Sequence, residues 1–229
     1  MGSTAAWIGL LIAHAAYALL VVFILLGLVE RVGFCVVSLV RWLRSPSAAE
    51  ADSDPGQDPM ELLPTPRPTV CVQLPMFNER AVAVRSIAAA CSLRWPRQAF
   101  EVQVLDDSSE ADVRALVDAA AASWRARGIK CEVIRRARRD GYKAGALEHG
   151  RKQTSAEFLA LFDADFVPGA DFLERTVPTF YGADGAPIED LALVQGQWAH
   201  LNALDSLLTL SQSLALDDHH SAQVSSLFL

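Results

Sequence analysis

Short apolar runs alternate with segments of helical periodicity over most of the chain from Thr69 onward. Helix-like spacing of apolar residues occurs in Ala81–Ser92, Ser109–Arg127 and Lys143–Lys152. This alternation is typical of βαβ units, and it predicts an α/β fold with a mostly parallel sheet. The five runs that we interpret as strands are TVCVQL, FEVQVL, KCEVI, FLALF and LALVQ.

The second predicted helix carries a boundary signal at each end. Ser109 and Asp112 have the spacing of a capping box at its start. Gly128 stands where a helix of this length would end, because glycine readily adopts the left-handed conformation that follows a final turn. We therefore expect this helix to begin and end close to these residues.

The segment Ala5–Val29 contains no residue that is charged at neutral pH and is long enough to cross a bilayer as one helix. A signal peptide is disfavoured, because no basic residue precedes this segment and the segment is longer than the apolar core of a signal peptide. Arg31, Arg41 and Arg44 follow it, so the positive-inside rule places the N-terminus outside and the rest of the chain in the cytosol. We expect a membrane of the bacterial inner or plasma-membrane type, with residues 32–40 continuing the helix along the interface.

Three regions are predicted along the chain. Residues 1–44 form the transmembrane helix with its interfacial extension, and residues 45–68, which hold six of the eleven prolines, form a flexible linker. Residues 69–229 form a cytosolic domain. Its last segment, Asn202–Leu229, opens as an amphipathic helix and ends on SSLFL without a stop signal, which indicates a domain cut within an element.

The composition excludes some classes of function. A formal charge of −7 argues against nucleic-acid binding, which normally requires a basic surface. Basic residues do concentrate between positions 125 and 143, and we interpret most of them as a solvated face. The four cysteines have neither CxxC spacing nor histidine partners, so we expect small buried side chains rather than a zinc site or disulfide framework.

The run FLALFDAD ends on two carboxylates, Asp163 and Asp165, separated by one small residue. If the run is a buried strand, both carboxylates stand where it leaves the sheet, which is where open α/β sheets bind ligands. Two carboxylates this close attract a hard cation such as Mg²⁺ or Mn²⁺, which is often shared with substrate phosphates. The alternative is an Asp pair that caps the next helix or turn.

Polar residues also follow the other predicted strands. In a parallel sheet the ends of one polarity share an edge, so we expect these residues to converge on one crevice that binds a nucleotide diphosphate. Asp107 would accept hydrogen bonds from a base or ribose, and Lys143 would offer a cation to the diphosphate, with glycines allowing close approach. The candidate nucleotide-sugar-binding residues are Pro75, Phe77, Asn78, Glu79, Asp106, Asp107, Gly141, Lys143, Gly145 and Asp163, and the candidate metal ligands are Asp163 and Asp165.

The motifs LPMFNER, VLDDSS, DGYKAGAL, FDADFVP and LVQGQW together resemble the donor-binding motifs of the family-two glycosyltransferases. The resemblance is strongest to the cellulose synthase-like, glucomannan mannosyltransferase-type branch, and it covers nearly all of Pro68–Asp218. It implies a Rossmann-like GT-A nucleotide-sugar-binding domain on the cytosolic face of a membrane. It also implies inverting transfer of a hexose from UDP-glucose or GDP-mannose, with Mg²⁺ or Mn²⁺, to a glycan acceptor. Within the family pattern, Asp165 matches the direct metal ligand and Asp107 the nucleotide contact.

The chain departs from that family in its later part. The acidic motif that supplies the general base and the QxxRW motif are absent before Leu229, so we expect the base beyond the sequence printed here. The late acidic and histidine residues are weak candidates for the base, and Gln195 and Trp198 could touch a sugar or simply pack. These candidates for the base are Asp217, Asp218, His219 and His220.

Two other classes of function remain open at this point. The chain as it stands could be a nucleotide-sugar-binding fragment that is catalytically incomplete. It could instead be a phosphatase or phosphotransferase in which Asp163 is a nucleophile and Asp165 an acid. The chain lacks the threonine that a phosphatase would carry just after the Asp pair. The polar residues after the other predicted strands would also have no function in a phosphatase.

Overall fold

A four-stranded, fully parallel sheet organises the described residues between Gly56 and Val194, which form one compact unit of the chain. The computed structural model describes residues 2–44 and 59–218. The predicted α/β fold is confirmed. The strands are β1 (Val70–Met76), β2 (Phe100–Asp106), β3 (Lys130–Ile134) and β4 (Phe158–Leu161), and their order in the sheet is β3-β2-β1-β4.

Helices connect the successive parallel strands, as a right-handed βαβ architecture requires. The predicted connecting helices are present, and each begins and ends within two residues of the predicted bounds. One further short helix follows β4. The helices are α2 (Ala83–Cys91), α3 (Ala111–Ala126), α4 (Tyr142–Arg151) and α5 (Phe172–Thr176), and 3₁₀ turns span Pro59–Leu62, Arg97–Ala99 and Val177–Phe180.

The order in which strands are added to the sheet reverses at β1. The chain passes from β1 through β2 to β3 along one side, and β4 then pairs with the other edge of β1. The crossovers from β1 to β2 and from β3 to β4 run in opposite directions along the sheet, so the carboxyl ends of β1 and β4 meet at a topological switch point, where such sheets form a crevice. The position of the ligand site follows from this topology.

The prediction of a strand in LALVQ is wrong. Residues 191–200 have no regular secondary structure, and the Leu193 side chain is 74% exposed. Among the described residues, no strand pairs with the outer edge of β4. An apolar run becomes a strand only where a neighbouring strand supplies hydrogen bonds, so the run alone misled the assignment.

The boundary signals of α3 have mixed outcomes. Gly128 adopts a left-handed φ of +82°, and its N–H bonds the Arg125 carbonyl, so the predicted end is confirmed. The predicted capping box is wrong, because the N-cap residue is Glu110 and its side chain forms no capping hydrogen bond. The side chain that bonds the backbone N–H groups at this end is Asn78, which lies in the loop after β1.

The core lies between the sheet and helices α2 and α3. Fully buried side chains from β1 and β2, such as Leu74 and Val104, pack with Ile87 of α2 and Val117 of α3. This packing of an apolar helix stripe on an apolar strand face supplies the main driving force for folding. Cys71, Cys91 and Cys131 are free and buried, as predicted. Burial raises the pKa of the Cys71 thiol to about 12.

The second half of the predicted linker packs against the sheet unit. Arg67 donates hydrogen bonds to the carbonyls of Met60 (2.6 Å) and Leu63 (3.0 Å), and the Trp95 indole N–H donates to the Pro68 carbonyl at 3.0 Å. Leu63 is itself buried. The first part of the predicted linker, residues 45–58, lies outside the described residues. Residues 59–68 therefore belong to the folded unit and not to a flexible tether.

A second unit contains the long helix α1 (Gly2–Arg44) and the helix α6 (Leu207–Asp218). Within α1, Trp7–Val29 is apolar and long enough to cross a membrane, with none of that stretch buried. The helix predicted to open at Asn202 begins instead at Leu207.

Candidate functional site

The predicted Asp pair forms a turn directly after β4. The Phe166 N–H donates to the Asp163 carbonyl at 3.0 Å, and the Ser86 hydroxyl of α2 donates to the carbonyl of the buried Ala164. The anchoring of Ala164 in the core fixes the residues on either side of it. The next helix, α5, begins only at Phe172, so the pair does not cap a helix, although it does lie in a turn as the alternative also allowed.

A cavity of about 310 Å³ lies at the carboxyl edge of the sheet. Its walls come from the loops after β1, β2 and β4 and from the first turns of α4, so the predicted convergence of these clusters is what the fold produces. The predicted site residues that line it are Pro75, Phe77, Glu79, Asp107, Lys143, Asp163 and Asp165.

Opposite charges meet inside this cavity. The Lys143 ammonium group forms an ion pair with Oδ1 of Asp163, and both side chains remain partly exposed. Asp165 and Glu79 form no ion pair within the described residues, although both line the cavity. The site thus combines a lysine that can bind phosphate with carboxylates that remain open to a cation.

The carboxylates of Asp163 and Asp165 fit a hard divalent cation. Both groups line the same cavity and offer the oxygen donors that Mg²⁺ and Mn²⁺ take. No group of three or more His, Cys, Asp or Glu residues that could hold a metal occurs in the described part of the chain. A site with so few protein ligands is typical of Mg²⁺ bound by one or two carboxylates together with substrate phosphates.

The carboxylate of Asp107 is held by two arginines from the segment after β3. Arg136 binds it in a bidentate pair, with Nε–Oδ1 at 2.8 Å and Nη2–Oδ2 at 2.6 Å, and Nε of Arg139 lies 3.6 Å from Oδ2. The side chains of Asp107 and Arg136 are only 8% and 10% exposed. These hydrogen bonds to Asp107 raise the pKa of the Arg136 guanidinium above its ordinary value.

Arg136 also fixes the glycine-containing loop before α4. Its Nη1 donates to the Asp140 carbonyl and its Nη2 to the Tyr142 carbonyl, each at 2.6 Å. Gly141 is the N-cap residue of α4 with a φ of +69°, a conformation that favours glycine. Gly145 lies so close to the loop that a Cβ atom would stand 2.0 Å from the Asp140 carbonyl oxygen.

The two predicted glycines therefore have a role that differs from the prediction. We expected Gly141 and Gly145 to let backbone approach a diphosphate, and neither lines the cavity. Gly145 permits close packing of α4 against the loop at Asp140, and Gly141 permits the left-handed turn into that helix. Their contribution is to place the neighbouring Lys143 at the cavity.

Asp106 serves the loop behind the cavity and does not face it. Its side chain is 0% exposed and forms an ion pair with Arg135, with Nη2–Oδ2 at 2.7 Å. Its other carboxylate oxygen accepts the Ser108 N–H at 3.0 Å. Its burial and its partners give Asp106 a structural role in the loop after β2, and its contact with a nucleotide stays a prediction.

Asn78 likewise organises the site from outside the cavity. Its Oδ1 accepts the N–H groups of Ser109 (3.0 Å) and Glu110 (3.3 Å), and its own N–H donates to the Ser108 hydroxyl at 2.9 Å. These bonds join the loop after β1 to the loop after β2. Asn78 therefore bonds the backbone at the start of α3, and its contact with a ligand stays a prediction.

We expect Asn78→Ala to lower the free energy of unfolding by about 2 kcal/mol, because it removes a helix cap and strains a φ of +55°. Chemical denaturation of the 229-residue chain in detergent micelles measures the change. Asn78→Asp keeps the acceptor oxygen and should stay close to wild type. Asn78→Gly relieves the strain without restoring the cap, so equal stability of the Gly and wild-type proteins would contradict the capping role.

Several residues of the cavity wall were not predicted. Apolar side chains from strand ends could not be assigned a ligand role from their type, and Arg139 was counted among the solvated basic residues. The only sequence signal for Arg139 is its position two residues before Gly141. The additional lining residues are Met76, Leu105, Arg139, Ala146 and Ala164.

The late candidates for a general base stay predictions. Asp217 and Asp218 lie at the end of α6, and His219 and His220 fall outside the described residues. Gln195 and Trp198 belong to a segment without regular secondary structure.

The fold and the cavity define the class of this protein. A parallel α/β sheet that presents carboxylates, a lysine and an arginine at its topological switch point is the arrangement of a nucleotide-binding α/β protein. The chain belongs to glycosyl transferase family 2, whose family model matches residues 71–186. The matched region begins in β1, runs past the DAD turn, and includes every strand of the sheet.

Curated relatives support the same family. The glucomannan 4-beta-mannosyltransferase 9 of Arabidopsis thaliana is 40% identical over 199 residues, which cover 85% of this chain and 36% of the relative. The glucomannan 4-beta-mannosyltransferase 2 of the same plant is 38% identical over 218 residues, or 93% of this chain and 40% of the relative. The chain therefore spans less than half the length of these relatives.

Among solved structures, the mannosyltransferase PcManGT from Pyrobaculum calidifontis, in complex with GDP-Man and Mn²⁺, is similar to this chain. The two share 24% sequence identity with a TM-score of 0.48, over 64% of this chain and 40% of the other. The S. aureus TarS fragment 1-349 is 19% identical, with a TM-score of 0.41 over 48% of this chain and 31% of the other.

Proposed function

We propose that this chain binds a nucleotide sugar and is the donor-binding part of a membrane-anchored inverting hexosyltransferase. The observation that carries the proposal is one cavity lined by Asp107 after β2, Lys143 in the first turn of α4, and Asp163 and Asp165 after β4. Their chemistry matches a nucleoside diphosphate with a divalent cation. The phosphatase reading is weaker, because the threonine expected just after the Asp pair is absent and because Asp107 and Lys143 would have no task in it.

Each polar group of the cavity has a task in this proposal. Lys143 binds a diphosphate oxygen, and Asp107, held by Arg136, accepts hydrogen bonds from the nucleoside. Asp163 and Asp165 would hold Mg²⁺ or Mn²⁺, which neutralises charge on the departing diphosphate. The tightly bound orientation of Asp107 limits the entropy lost when a ligand binds.

The names of the relatives support a proposal for the donor and the acceptor. Their names describe transfer of mannose to glucomannan, so we propose GDP-mannose or UDP-glucose as donor and a β-glucan or mannan chain as acceptor. The apolar stretch Trp7–Val29 would anchor the enzyme, with the sheet unit in the cytosol and the N-terminus outside. The curated relatives named above come from a plant, and a bacterial-type membrane stays a prediction.

Binding titrations test the proposal directly. We expect the 229-residue chain in detergent micelles to bind GDP or UDP, and to bind it more tightly with Mn²⁺ than with a chelator. ADP serves as a control for general diphosphate attraction, and it should bind more weakly. If neither GDP nor UDP binds under any of these conditions, the proposal is wrong.

A separate assay addresses transfer. Incorporation of radiolabelled mannose or glucose into insoluble glycan by membranes carrying only this chain would establish catalysis. Nucleotide binding without incorporation would identify the chain as a binding unit that is catalytically incomplete. The two assays therefore separate the proposed activity from its main alternative.

A further inference from the structure

Arg139 occupies a specific place on the cavity wall. Its guanidinium carbon lies 3.5 Å from the centre of the Phe77 ring and 5.3 Å from the centre of the Tyr142 ring. Phe77 lines the same cavity. An arginine stacked on an aromatic face gains cation–π stabilisation and loses conformational freedom before any ligand arrives.

Stacking leaves the hydrogen-bonding edge of this guanidinium available. The N–H groups of arginine lie in the guanidinium plane, so a ring above the plane does not block them. Within the described residues, the terminal nitrogens of Arg139 have no hydrogen-bond acceptor. Its one ion-pair partner in the described part of the chain is Asp107, with Nε–Oδ2 at 3.6 Å, which is too long for a hydrogen bond.

Asp107 does not require Arg139 as a partner. Arg136 already supplies a bidentate pair to both oxygens of that carboxylate. The other arginines of this segment also have partners elsewhere, since Arg135 binds Asp106 and Asp118 and Arg138 pairs with Asp140. Arg139 therefore differs from its neighbours in carrying open donors toward a cavity.

We propose that Arg139 is a second phosphate-binding residue of this cavity and that it contacts the diphosphate of the nucleotide together with Lys143. The inference rests on the proposed function and extends it to a residue that the sequence patterns did not single out. A planar guanidinium can bind two phosphate oxygens at once, whereas the lysine ammonium acts as a compact charge. The ring of Phe77 is the support that holds this fork in place.

Matched variants of the 229-residue chain in detergent micelles test the proposal. We expect Arg139→Gln to weaken binding of GDP and UDP about tenfold, as for loss of a charged hydrogen bond, and to leave binding of guanosine and uridine unchanged. Arg139→Lys should lose less affinity than Arg139→Gln. Arg138→Gln is the control, because that arginine is 81% exposed and lies next to Arg139 without lining the cavity.

The outcomes separate this proposal from the broader one. Unchanged diphosphate binding by Arg139→Gln, while wild type binds, overturns the role of Arg139 and leaves the proposed function intact. An equal loss for nucleosides and diphosphates overturns it as well, since that would place Arg139 at the base. Failure of the wild-type chain to bind any nucleotide would instead remove the proposed function. An unchanged denaturation midpoint for Arg139→Gln excludes misfolding as the cause of weaker binding.

Discussion

The replacement Gly145→Ala is expected to destabilise the sheet unit by about 3 kcal/mol and to abolish nucleotide binding, because the added methyl group overpacks a tight backbone contact. A Cβ atom at this position would lie 2.0 Å from the Asp140 carbonyl oxygen and 2.6 Å from Nη1 of Arg136. Those two atoms are hydrogen-bonded to each other at 2.6 Å. The loop can make room only by breaking that bond.

The disturbance is expected to reach the ligand site through Arg136. The same guanidinium holds Asp107 by two hydrogen bonds, so a shifted Arg136 releases the carboxylate that we assign to the nucleoside. Loss of either partner of a nearly buried ion pair is costly, since it leaves an uncompensated charge. Gly145→Ala should therefore affect stability and binding together.

Chemical denaturation and nucleotide titration of the same samples measure both effects. Ala144→Ser is the matched control, because Ala144 is the adjacent residue on α4 and is exposed. The control should keep wild-type stability and binding. A Gly145→Ala protein with wild-type stability would mean that the loop at Asp140 yields easily, and it would contradict the tight packing described here.

The strands were predictable from the sequence wherever an apolar run also has a neighbouring strand to pair with. TVCVQL, FEVQVL, KCEVI and FLALF all became strands, since each has a parallel neighbour with continuous register. The run LALVQ has the same apolar character and is no strand. Pairing depends on a partner far away in the sequence, and a local pattern contains no information about it.

The site was predictable to the level of strand ends but not of individual side chains. Sheet geometry brings the clusters after β1, β2 and β4 together, and this required only the order of apolar runs. The sequence assigned the nucleoside contact to Asp107, but it also kept Asp106 among the candidate site residues. Asp106 is withdrawn by Arg135, whose position depends on the pairing of β2 with β3.

The role of Arg139 was hidden for a related reason. Four arginines stand within residues 135–139, and composition makes them equivalent. Only the fold distinguishes them. It pairs Arg135 with a fully buried carboxylate and Arg136 with a nearly buried one, whereas Arg139 stacks on the ring of Phe77. Charge clusters of this kind need contact information before any residue in them can be assigned.

The replacement Asp165→Asn is expected to weaken Mn²⁺-dependent binding of GDP or UDP about 100-fold, since a cation ligand contributes several kcal/mol of charge stabilisation. The structure favours Asp165 over its neighbours for this role. Asp107 is paired with Arg136 and Asp163 with Lys143, whereas Asp165 lines the cavity without an ion pair in the described part of the chain. Its full negative charge is therefore available to a cation.

Titrations with and without Mn²⁺ separate a metal ligand from a general electrostatic effect. Asp165→Asn should retain the weak binding that wild type has in chelator, because removal of a negative charge does not disfavour an anionic ligand. Asp190→Asn, an exposed carboxylate of the same unit that lies outside the cavity wall, should behave as wild type in both conditions. If the Asp165→Asn protein keeps the full gain in affinity from Mn²⁺, Asp165 is not a metal ligand, and another carboxylate of the cavity, Asp163 or Glu79, holds the cation.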